Sequence, residues 1–182
     1  HSLPDRDCDH VVIETKDAQY PFEIRLKCDE NAILPFHLNM DGILLKLAQA
    51  QMLLRTTIKG RITYVFMVPD GMQPAFFFER EAEILSPIES PCEKTVTRFT
   101  VQKGTILLDC LLISRPMADQ MFLLRDGCLL FTDAALLEDE KGELRLETTS
   151  SRNEVFCYPP DRLAGAARVS DGILGHCTIA CN

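Results

Sequence analysis

The stretch Asp41–Gly60, "DGILLKLAQAQMLLRTTIKG", decides the fold, because it reads in two ways. From Ile43 to Arg55 the residues are good helix formers, Leu44, Leu47, Ala48 and Met52 follow helical spacing, and Asp41 is placed to cap the start. That predicts one short helix over 43–55. The rival is a pair of buried strands joined around Gln49-Ala50-Gln51.

On either side the chain reads as strand. Downstream, "RITYVFMVPDGMQPAFFFERE" is rich in β-branched and aromatic residues. Upstream, "LPFHLN" places His37 and Asn39 two apart, on one face of an alternating strand. Asp-Gly, a strong hairpin signal, occurs at Asp41-Gly42, Asp70-Gly71, Asp126-Gly127 and Asp171-Gly172. In "QMFLLRDGCLLFTD" it separates two apolar runs, Met121 to Leu124 and Cys128 to Phe131. Further strands are expected at "HVVIET", "PFEIRLKC", "KTVTRFTV", "TILLDCLLI", "ELRLET" and "EVFCY". Many short strands without a strand–helix–strand rhythm predict a mainly β fold, an antiparallel two-sheet sandwich. One domain spans 1–158, and 159–182, rich in Pro, Gly and Ala, reads as an extended C-terminal tail tied by Cys177 and Cys181.

Composition narrows the function. The 182 residues carry a net charge of -8, and their Lys and Arg are scattered, so nucleic acid is not an expected partner. No apolar run reaches the roughly 20 residues of a spanning helix. Cys8, Cys28, Cys92, Cys110, Cys128, Cys157, Cys177 and Cys181 are even in number and form no C-x-x-C pair. Only Cys177 and Cys181, with His176 adjacent, approach zinc-ligand spacing, and no second pair accompanies them. Four disulfides are therefore expected, of open connectivity, and with them secretion or passage through an oxidising lumen. The start "HSLPDRDC" has no signal-peptide pattern, so a leader is expected to have been removed. "DRDCDH" gathers carboxylates at Asp5 to His10 but lacks a calcium-loop pattern, and reads as an arm pinned by Cys8.

Neither a G-x-S-x-G, an H-E-x-x-H nor a phosphate loop is present, and oxidised cysteines supply no thiolate, so no enzyme, cofactor or metal site is expected. Two stretches suit a protein partner. In "PAFFFERE" Phe77 faces opposite to Phe76 and Phe78; it is either buried by a second layer or exposed as an anchor. "LLEDEKGELRLE" gathers Glu138, Asp139, Glu140, Glu143 and Glu147, as a solvated hairpin or as an acidic rim that steers a basic partner. "VPDGMQP" offers a loop that a protease could engage.

"PFHLN" resembles the start of the His-x-Asn-x-Arg sugar-contact strand of galectins, with His37 and Asn39 in the matching places. Position 41 is Asp where the family has Arg, and the chain has no Trp for the sugar face to stack on. The resemblance implies a galectin-like sandwich that has turned from sugar to protein binding. Such disulfide-bearing domains occur in secreted microneme adhesion complexes of apicomplexan parasites. The expected function is a secreted, non-catalytic interaction module, an accessory subunit of a cell-adhesion or invasion complex that binds another secreted or cell-surface protein. The alternatives are a lectin-like domain using His37 and Asn39, and a protease-interacting or enzymatic secreted protein.

Overall fold

The computed structural model describes residues 8–12, 23–26, 30–170 and 172–180. β1 (Cys8–Val12) and β2 (Glu23–Leu26) pair antiparallel. The rest of the "DRDCDH" arm, together with Cys28 and Cys181, lies outside the described residues. β3 (Phe36–Met40) and β4 (Ile43–Ala48) form a hairpin whose two-residue turn is Asp41-Gly42. Both turn residues have positive φ, 50° and 100°. That is the turn whose twist matches the flanking strands, and Asp-Gly adopts it readily.

β5 (Gln51–Ile58) and β6 (Arg61–Val68) make the next hairpin. The helix expected over 43–55 is thus corrected: these residues are β4 and most of β5, as in the rival reading. Helix propensities differ by at most about 0.7 kcal/mol among ordinary residues. Burying a Leu or Ile contributes about 1.5–3 kcal/mol, and as strand residues Ile43, Leu45 and Leu47 all enter the core. Burial decides the outcome.

β7 (Phe76–Phe78) returns to β4 and closes a three-stranded sheet in the order β3-β4-β7. β8 (Glu83–Ile84), β9 (Val96–Lys103) and β10 (Ile106–Ser114) join the second hairpin in a central sheet ordered β5-β6-β10-β9-β8. Here β10 runs parallel to β6, with Cys110 opposite Tyr64, so the expected purely antiparallel pairing is corrected too. Between them the chain builds three other strands, ample length for the crossover that parallel pairing requires. A single short helix follows among the described residues, α1 (Arg115–Asp119), capped by the Ser114 side chain, which accepts from the Met117 N–H. No helix among the described residues is long and apolar enough to cross a membrane.

β11 (Met121–Leu123) and β12 (Leu129–Phe131) flank Asp126-Gly127, and β13 (Ala135–Glu138) and β14 (Leu144–Glu147) form a separate hairpin. β15 (Arg152–Tyr158), β16 (Ala167–Val169) and β17 (Leu174–Ala180) complete a sheet ordered β11-β12-β15-β17-β16. The stretch from 159, expected as a tail over the surface, instead supplies β17 to the interior of this sheet.

Strands β6 and β10 are buried along nearly their whole length, the mark of a sheet covered on both faces. Tyr64, Phe66, Leu108 and Leu112 pack on one side against Met40, Leu45, Leu47 and Phe76. On the other side, Val65, Met67, Leu111 and Ile113 meet Leu129, Phe131, Phe156 and Leu174. Beyond that sheet, Leu130, Val155 and Cys157 are covered by Leu136, Leu144 and Leu146 of the β13–β14 hairpin. A two-sheet sandwich has one core between its sheets, whereas this central sheet carries one on each face.

Candidate functional site

Of the candidate ligand residues His37 and Asn39, the second is built into the β3–β4 turn. Asn39 Oδ1 accepts the Gly42 N–H at 2.8 Å, and His37 has a positive φ of 49°. Phe36 is exposed and Leu38 is half-buried. Asp41, which stands where galectins have Arg, accepts two bonds from Arg55, each 2.7 Å, and one from the Tyr64 hydroxyl at 2.7 Å. The Arg55 guanidinium holds the Asp41 carboxyl below its usual range, and burial, reinforced by Asp41, pushes the Tyr64 phenol up to about 12. These polar groups serve one another, locking the hairpin to β5 and β6.

The expected protein-contact residues are only partly free. Phe77 is half-buried against the first core, beside Phe76, whose ring meets Phe66 at 5.0 Å and Phe99 at 4.8 Å. Glu138 accepts the Arg125 N–H at 3.0 Å, and Asp139 accepts the N–H groups of Lys141 and Glu143 at 2.8 and 2.9 Å. The Asp139 carboxylate shapes the β13–β14 turn and the Glu138 carboxylate ties that hairpin to the β11–β12 turn, while Glu140 is exposed. Among the described residues no disulfide is formed: Cys92, Cys110, Cys128, Cys157 and Cys177 are free. Desolvation raises the thiol pKa of Cys110, Cys128, Cys157 and Cys177, to about 11 for Cys128, so they are not activated nucleophiles.

A site that sequence reasoning missed lies where the central sheet meets the end of β15. A cavity of about 520 Å³ opens there, a size suited to a small ligand or one group of a larger one. The turn after β5 brings Lys59 and Arg61, β9 brings Arg98 and Thr100, and the segment around β16 brings Arg168. Ile58, Pro159, Pro160 and Ile173 form apolar walls.

Two carboxylates also line the cavity, and both are committed. Asp109, with only 4% of its side chain exposed, receives Arg61 Nη2 at 2.8 Å and Thr100 Oγ1 at 2.8 Å on the same oxygen. Asp161 pairs with Lys59 at 2.5 Å, which lowers its pKa. Arg98 is hydrogen-bonded to the Tyr158 hydroxyl, whose pKa burial raises, so the phenol stays protonated at neutral pH. Among the described residues neither Arg98 nor Arg168 has a carboxylate in salt-bridge range. Four cations against two carboxylates make this a positive pocket in a protein of net charge -8. Such an arrangement favours an anionic group and offers it guanidinium forks suited to carboxylate or other oxyanions. Nothing in the sequence marked it, because the four cations come from three separate strand ends.

No protein-family model matches the chain, and no curated protein matches it either.

Proposed function

We propose that the protein is a secreted, non-catalytic interaction module that receives an acidic group of its partner in the pocket around Arg98 and Arg168. The observation that carries this reading is the charge balance: Asp109 and Asp161 pair with Arg61 and Lys59, leaving Arg98 and Arg168 of the same cavity without a carboxylate in salt-bridge range among the described residues. Two cations in a partly dehydrated cleft attract an anion more strongly than the same charges on an open surface.

With Cys92, Cys110, Cys128, Cys157 and Cys177 free, the four expected disulfides do not form, and both the secretory compartment and the accessory role in an adhesion complex rest on the galectin resemblance. The binding site is assigned to the pocket rather than to the His37–Asn39 strand, whose Asn39 and Asp41 are engaged in the turn and its lock.

Calorimetric titration with glutarate, a small dicarboxylate, tests the proposal. Wild type is expected to bind, and the double variant Arg98→Gln/Arg168→Gln to bind at least about tenfold more weakly, a difference of about 1.4 kcal/mol. Unchanged thermal melting of the variant would show that the fold survived. Equal affinities in the two proteins would contradict the assignment.

A further inference from the structure

The cationic pocket does not end at its own walls. A second cavity of about 310 Å³ adjoins it, and Arg98 and Ile173 line both. From that junction the groove runs between the start of β9 and the β16–β17 turn, past Val96, Thr97 and Ser90. Glu89 is the one carboxylate among the residues lining this second cavity, and its backbone carbonyl is fixed by the Thr97 hydroxyl at 2.7 Å. The cleft is thus mixed in character: cationic at Arg98 and Arg168, apolar at Ile173 and Pro87, acidic at Glu89.

A lone anion would use only the first part of that cleft. We infer that the occupant is an extended peptide segment of the partner, with an acidic side chain in the pocket, an apolar residue over Ile173 and Pro87, and a basic residue at Glu89. This rests on the reading of the pocket as the binding site. A peptide is favoured over an oligosaccharide because the accessible apolar wall is aliphatic, built from Pro87, Pro160 and Ile173. Sugars normally pack on an aromatic face, and the one aromatic lining residue, Tyr158, is only 6% exposed.

Fluorescence anisotropy on the full chain tests the inference with four probes. These are a short labelled peptide in the order Asp, Leu, Lys; its Asn-for-Asp counterpart; labelled N-acetyl-aspartate; and a heparin oligosaccharide as competitor. The peptide is expected to bind at least about tenfold tighter than N-acetyl-aspartate, and its Asn counterpart to lose that affinity. Arg168→Gln should weaken both acidic probes. Ser90→Phe, which fills the groove, and Glu89→Lys, which reverses its acidic end, should each weaken the peptide without weakening N-acetyl-aspartate. Glu89→Lys keeps the test decisive should Ser90→Phe fail to fold.

A peptide no tighter than N-acetyl-aspartate, or indifferent to both groove variants, overturns the inference while leaving the pocket as an anion site. Displacement by heparin at lower concentration than by unlabelled peptide overturns it in favour of a sulfated glycan. Binding of neither acidic probe removes the pocket reading as well.

Discussion

The guanidinium of Arg61 lies 2.8 Å from the carboxylate of Asp109, and the two sit in unlike surroundings: the arginine side chain is 48% exposed, the aspartate 4%. Asp109 is thus an internal counterion at the floor of the pocket, also held by Thr100. Replacing it by Asn keeps the shape and removes one negative charge. The expected outcome is a loss of about 1–3 kcal/mol in stability, because donors built around a buried carboxylate lose their acceptor. Affinity for glutarate should rise, since Arg61 joins the unpaired cations. Thermal melting and calorimetry read the two effects separately, and a fall in affinity would count against the pocket's electrostatics.

The lock around Asp41 predicts a pH signature. The folded-state pKa of Asp41 is depressed, so its contribution is present above the unfolded value near 3.8 and is lost as pH falls through the folded one. Tyr64 has the opposite sense. Its folded pKa is raised from 10.0 to about 12, so its contribution is complete below pH 10.0 and is lost as pH climbs toward 12. Tyr64→Phe should flatten the fall in melting temperature across that alkaline window, and Asp41→Asn the fall on the acid side. Unchanged slopes in both variants would show that the geometry does not hold in solution.

Gly175 ties the core to the pocket wall. A Cβ placed there would lie 2.3 Å from the Pro160 carbonyl oxygen and 2.8 Å from Cys157 Sγ. Backbone atoms cannot give way cheaply, so Gly175→Ala must displace the Pro159–Pro160 segment. The variant is expected to lose about 1–3 kcal/mol of stability, as strained overpacking does, and to bind glutarate more weakly than wild type. Wild-type affinity in a destabilised variant would separate that wall from the site.

The hairpins were the legible part of the fold. Asp41-Gly42 and Asp126-Gly127 each join paired strands, as the dipeptide signals. Asp70-Gly71 does not, because β6 lies in the central sheet and β7 in its neighbour, and a turn signal says nothing about which sheet the next strand joins. Leucines in 43–55 carried two periodicities at once, and only the burial of Ile43, Leu45 and Leu47 beneath Phe66 and Leu112 chose between them. Alternation around "FHLN" held for His37 and Asn39, both exposed, while Phe36 on the other face is exposed as well, which no neighbouring residue type announced.

The proposed binding site was not legible at all. Lys59, Arg61, Arg98 and Arg168 looked like dispersed surface charges, and it takes the docking of β15 and the β16–β17 turn beside the central sheet to bring them together. Asp109 was equally hidden inside the apolar run of β10, where a buried carboxylate needs a partner that only the fold supplies.

Chemical-shift mapping tests the central claim most directly. Glutarate is titrated into the isotopically labelled full chain, and backbone amide signals are followed together with arginine side-chain Nε–H signals. The account predicts saturable shifts at Thr100, Gly172, Ile173 and the side chains of Arg98 and Arg168, with Leu38 to Gly42 unmoved. Shifts centred on His37 and Asn39, or on Glu138 to Glu140, with a silent Arg98 and Arg168, would contradict it.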